Sequence, residues 1–133
     1  MPNHALLLRK YFQLLQWFTE SEAAFLDVLH PEFMQVDYPN LIVATTRERN
    51  FRKLMEGVAA GRRMLANQHF HHRSLFETGD TVFAEYYWTG ELKVKAGRLH
   101  RGHILKANIC SIIQFKSGKI FRQSNYNCFE PLR

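Results

Sequence analysis

Few side chains in this sequence are placed to do chemistry. Asp37 and Tyr38 end an alternating segment that runs from Phe33 to Tyr38 and is closed by Pro39-Asn40. Asp37 supplies a carboxylate and Tyr38 a hydroxyl that can polarise a carbonyl or move a proton. His103 shares strand parity with Leu105, Ile109 and Ser111 and is the best candidate for a group that titrates near neutral pH. His103, Asp37 and Tyr38 are therefore the candidate catalytic residues. Tyr11, Ser111 and Tyr126 can hold a carbonyl or hydroxyl by hydrogen bonds, and Tyr86 and Trp88 can wall an apolar ligand. His69, His71 and Glu77 share a parity, so a metal site or an acid–base relay can be drawn through them. Against a cupin-like metal motif, the histidine-to-glutamate spacing is too long and the first half of the chain is helical. No metal and no other cofactor is expected.

Those residues must be positioned by elements that the hydropathy pattern reveals. Leu8, Tyr11, Phe12, Leu15 and Phe18 follow helical spacing and predict a first helix from Ala5 to Phe18. Thr19 with Glu22 has the form of a capping box for a second helix through Phe25, Val28 and Leu29, ended by His30-Pro31. Phe33 to Tyr38 reads as a strand, with Asp37 on the face of Gln35 and away from Met34 and Val36 unless a bulge resets it. Thr45 with Glu48 offers a third cap, and Phe51, Leu54, Met55, Val58 and Leu65 trace a third helix ending near Asn67; Gly57 and Gly61 within it read as tolerated small residues.

The remainder changes to period two. Strands are predicted at Gln68–Thr78, Thr81–Leu92, Leu99–Phe115 and Lys119–Phe129. A turn at Ser117-Gly118 sets Phe115 opposite Ile120, Cys110 opposite Asn125 and Cys128 opposite Ala107, with the two thiols on opposite faces. In that register Ser111, Ser124 and Tyr126 lie on the apolar face, and Gln123, Asn125 and Asn127 on the other. Helices first and strands afterwards give an α+β fold with an antiparallel sheet.

At 133 residues and 46% hydrophobic composition, the chain has the size and apolar content of one domain, 1–133. No secretory pattern opens it and no apolar run is long enough to span a bilayer, so the expectation is a soluble cytoplasmic protein with no membrane partner. Its formal charge of +6 is spread along one helix and one turn without aromatic interleaving, which argues against nucleic acid.

The order of elements resembles the nuclear-transport-factor-2-like (NTF2-like) superfamily. Gly79-Asp80-Thr81-Val82-Phe83-Ala84 resembles the turn-and-strand entry of its SnoaL-like branch. Phe115 to Ile120, followed by Tyr126-Asn127-Cys128-Phe129-Glu130-Pro131, resembles the terminal hairpin. The resemblance implies a cone-shaped α+β barrel, three N-terminal helices packed on a curved sheet, with a cavity for a small apolar or polyketide-like molecule. It also implies a homodimer through the outer sheet face, and two apolar sheet faces independently require two covers.

In isomerases of that superfamily an aspartate just before the strand-closing proline is the base, and a protonated aspartic acid helps hold the oxyanion. Here Tyr38 stands at the first position, with Asp37 one residue earlier, and Ser111 at the second. These departures argue against ketosteroid isomerase activity. The expected function is binding of a small apolar ligand, with lyase, isomerase or polyketide-cyclase-like chemistry from cavity tyrosine and histidine groups. The alternatives are a non-catalytic dimeric binding or assembly module and a metal-dependent enzyme.

Overall fold

The computed structural model describes residues 3–132; the ends of the expected domain, residues 1, 2 and 133, lie outside the described residues. Helix α1 spans His4–Gln16 and is capped by Asn3, whose side chain accepts from the Leu6 amide. Its buried stripe holds Leu8, Tyr11 and Phe12, and Phe18 turns the chain away with a φ of 51°. The short helix α2, Glu22–Leu26, is capped by Ser21 and not by Thr19. The Thr19 amide is already bonded to the Leu14 carbonyl, closing the end of α1.

Strand β1 runs Leu29–Asp37 and so takes in His30-Pro31, the predicted stop of the second helix. A register shift between Leu29 and Met34 accommodates the proline, which has no amide to give a ladder. The predicted Thr45–Glu48 cap is also replaced. Arg47–Asn50 forms a short edge strand, β2, antiparallel to β1, and Asn50 caps helix α3, Phe51–Met64, by accepting from the Lys53 amide.

Strands β3 (Leu65–Thr78), β4 (Thr81–Leu92), β5 (Ile104–Lys116) and β6 (Lys119–Phe129) follow as antiparallel neighbours. The sheet order is β2-β1-β6-β5-β4-β3, with β1 parallel to β6, so the sheet is mixed where a purely antiparallel one was expected. It is curved and unclosed, and among the described residues three helices cover one face of its six strands. Tyr11, Phe25, Phe33, Leu54, Val58, Val82, Tyr86, Ile113 and Ile120 are among the residues buried between the two layers.

Two bulges decide which side chains face inward. Phe115 pairs with Ile120 as the turn requires, but Gln114 pairs with Arg122, leaving Phe121 as an extra residue. A bulge reverses the parity of everything beyond it. Gln123 and Asn125 therefore turn inward, and Ser124 and Tyr126 turn outward. Cys110 lies opposite Tyr126 and Cys128 opposite Asn108, so both thiols are on the outer face, two residues out of register, and both are free. On β3 a shift between His72 and Ser74 does the same at Arg73. It sends Glu77 to the inner face, where its Oε1 lies 2.6 Å from His4 Nδ1, away from His69 and His71. The shared parity drawn through His69, His71 and Glu77 is thereby lost.

Candidate functional site

Strand alternation places Phe33, Gln35 and Asp37 on the inner face of β1, all buried. The parallel register with β6 sets Gln35 beside Gln123 and Asp37 beside Asn125; the antiparallel register with β2 sets Arg49 across from Gln35 and Arg47 across from Asp37. Six polar side chains are thus stacked in two short rows, Arg49-Gln35-Gln123 and Arg47-Asp37-Asn125.

The carboxylate orders the rest. Asp37 is only 4% exposed. Its Oδ1 accepts from Asn125 Nδ2 at 3.0 Å and Asn127 Nδ2 at 3.2 Å, and its Oδ2 accepts from Arg47 at 2.8 Å. Because a carboxylate only accepts, Asn125 must point its amide nitrogen at Asp37 and its Oδ1 away. That oxygen accepts from Ser111 Oγ at 2.5 Å and from Gln123 Nε2 at 3.0 Å. Gln123 Oε1 in turn accepts from Tyr11 at 2.6 Å and Gln35 Nε2 at 3.1 Å. Ser111 has spent its proton on Asn125, so Tyr86 must donate across the 2.8 Å contact to Ser111 Oγ. Every donor in the chain leads towards Asp37.

In front of this network lies a cleft of about 220 Å³, lined on one side by Asp37, Arg47, Arg49, Asn125 and Asn127 and on the other by aromatic rings including Phe12, Phe70, Tyr86 and Trp88. A second lobe of about 140 Å³ reaches towards α3 and shares Gln35, Arg49 and Phe70 with the first. Gln68 fixes the rim, donating to the Leu15 carbonyl at 2.6 Å while accepting from Trp88 Nε1 at 2.9 Å. The Trp88 ring lies over Gly90, where a Cβ would sit 2.7 Å from its carbons, so only glycine leaves the indole in this place.

The candidate residues from sequence are dispersed by this geometry. Asp37, Tyr86 and Trp88 line the cleft. Tyr11 and Ser111 are fully buried behind it and act through Gln123 and Asn125. Tyr126 is 46% exposed and stacks on Tyr38 at 4.9 Å on the outer face, so neither reaches the cleft. His103 precedes β5, which begins five residues later than expected, so strand parity does not apply to it. It lines a larger groove of about 440 Å³ with Lys106, Glu130 and Pro131, without a convergent hydrogen-bond network.

Gln35, Arg47, Arg49, Gln123, Asn125 and Asn127 were not singled out from the sequence. The available signal was a matching period of two, Gln35 and Asp37 on one strand and Gln123, Asn125 and Asn127 on another.

Burial raises the Tyr11 hydroxyl well above its ordinary value of 10.0, and burial raises Tyr86 as well, with the Asp37 charge adding to both. The unfolded chain then loses these protons first as pH rises, so stabilisation that is complete below pH 10 is lost above it. Urea midpoints should fall between pH 9 and pH 11, and Tyr86→Phe should flatten that fall. Parallel pH profiles for the two proteins would show that Tyr86 is not responsible.

The sequence pattern of the SnoaL-like domain family matches residues 8–123. Among solved structures, IdmH of Streptomyces antibioticus, assigned as a polyketide cyclase, superposes with a TM-score of 0.77 at 8% identity, over 92% of this chain and 90% of that one. TsrD of Streptomyces laurentii gives 0.72 at 15% identity, over 94% and 90%. A Catenulispora acidiphila protein with a ketosteroid isomerase-like fold, in complex with trimethylamine, gives 0.68 at 13%, over 90% and 83%. At such identities the likeness is one of fold. No curated protein matches the chain by sequence. Because the family pattern spans most of the chain and the architecture agrees with it, this protein belongs to the SnoaL-like domain family.

Proposed function

We propose that the cleft binds a small, flat, largely apolar molecule of polyketide-like character and that Asp37 moves a proton on it, as an isomerase or cyclase requires. The observation that carries this reading is a buried carboxylate held by three donors at the wall of an aromatic cleft. An ionised carboxyl offers about four acceptor sites. Three are taken, which leaves one on Oδ2 for a proton arriving from a bound carbon acid. In the forward step the C–H bond breaks, its electron pair passes into the adjacent carbonyl as an enolate, and the proton goes to Oδ2. Oδ2 then returns a proton to carbon when the product forms, and exchange of that proton with solvent in the interval carries deuterium into the molecule. Arg47 and Arg49 outnumber the single carboxylate, so the field in the cleft favours the developing negative charge.

Resemblance to SnoaL-like relatives, IdmH among them, supports the ligand class. The experiment is proton exchange on an aryl 1,3-diketone in deuterium oxide, followed by NMR. Exchange should exceed the buffer rate and saturate with diketone. A rate equal to buffer alone at all concentrations would remove the catalytic reading and leave a binding role.

The same proposal pairs two copies through the outer sheet face, where Phe76, Phe83, Tyr38 and Tyr126 are exposed, Phe76 at 68%. Sedimentation should report twice the chain mass, and Phe76→Lys with Phe83→Lys should halve it. A monomeric wild-type protein at micromolar concentration would overturn the pairing.

A further inference from the structure

Arg49 is a cation with no ion-pair partner among the described residues. Its neighbour Arg47, two residues back on the same face of β2, is paired with Asp37, but among the described residues Arg49 makes no salt bridge and no hydrogen bond through its guanidinium. It is half-buried, lines both lobes of the cleft, and sits beside a like charge. Burial first, then repulsion from Arg47, lower its affinity for its proton, and the nearby Asp37 charge offsets part of this. A guanidinium nevertheless stays charged in a protein, so an anion bound in the cleft would offset the cost of holding it here.

The fold has made room for this group. On α3, Gly57 lies directly beneath it, and a Cβ there would stand 2.8 Å from Arg49 Nη1 and 3.0 Å from Cζ. Glycine in a helix interior costs about 1 kcal/mol against alanine. Here its absent side chain leaves the space that the guanidinium occupies at the junction of the two lobes. Around the inner lobe Leu15, Phe18, Leu54 and Val58 supply apolar wall, and Phe70 is shared by both lobes together with Gln35 and Gln68.

We infer that the molecule bound in this cleft is a carboxylic acid with a flat apolar body, its carboxylate seated on Arg49. The planar fork of N–H donors matches a carboxylate two bonds to two. The inference rests on the cleft being the ligand site proposed above and adds the charge of the ligand to it. It does not require Asp37 to be catalytic.

The probes are 2-naphthoate and its neutral isostere 2-naphthamide, titrated by calorimetry against the full chain. The wild-type protein should bind the carboxylate roughly 10- to 100-fold more tightly than the amide, the size of a charge-assisted hydrogen-bond pair. Arg49→Met should erase that preference. Gly57→Ala keeps every charge and favours the helix, yet should also weaken the carboxylate by displacing Nη1; this arm remains informative if Arg49→Met fails to fold. Equal affinity for the two probes, or a preference that survives both Arg49→Met and Gly57→Ala, would overturn the anion inference alone. Failure of both probes to bind a folded protein would overturn it together with the cleft as ligand site.

Discussion

Asp37→Asn should lower diketone exchange in the cleft by about 100- to 10,000-fold, the usual contribution of a positioned general base. The substitution is nearly isosteric. Its carbonyl oxygen can still accept from Asn125 and Asn127, so the polar ladder keeps its order. What disappears is the acceptor on Oδ2 and the partner of Arg47. The Arg47 side chain is 41% exposed, so loss of that ion pair is screened and should alter stability only modestly. The variant should therefore fold and bind while failing to exchange. Retention of the wild-type rate would assign Asp37 to anchoring Arg47 and the two asparagines, with the proton accepted elsewhere.

Gln123→Leu should be the most damaging single change to stability, at about 2–6 kcal/mol. Leucine fills similar space but leaves two buried donors, the Tyr11 hydroxyl and the Gln35 amide, without the oxygen they share. Each unsatisfied buried group costs about 1–3 kcal/mol. Against a total stability of about 5–15 kcal/mol, such a loss is plain in urea unfolding. Asn125 keeps Ser111 as a donor but loses the second bond that fixes its tilt, so Asp37 should also be less well aimed. A cost below about 1 kcal/mol would mean that water enters and replaces the amide.

What could be read from the sequence was what repeats locally. The stripe Leu8, Tyr11 and Phe12 is the buried face of α1, the Ser117-Gly118 turn sets Phe115 against Ile120, and Val82, Ala84, Tyr86 and Trp88 share one face of β4. What escaped depended on partners distant in the chain. Arg47–Asn50 carries no apolar alternation and becomes a strand only because β1 offers it an edge. The parallel union of β1 with β6 joins segments 88 residues apart, and no local pattern announces it.

The site was harder still, because its amides looked like solvent-facing residues. Gln35, Gln123 and Asn125 are inward only because they satisfy one another; taken singly, each belongs on a surface. Alternation puts Asp37 on the face of Gln35, opposite Met34 and Val36, but does not say which of the two faces is the inner one. Phe33 on the same parity as Gln35 and Asp37 is the deep residue, and Met34 and Val36 remain partly exposed.

The extra residue at Phe121 gives the cleft a second kind of inheritance. Its polar floor depends on how many residues separate the Ser117-Gly118 turn from Gln123, as well as on which residues they are. A lineage can exchange side chains along β6 one by one and alter the cleft gradually. Gaining one residue between Ile120 and Gln123, with the bulge still absorbing only one, would instead exchange the floor for Ser124 and Tyr126 in a single step, so spacing here is constrained much as a reading frame is.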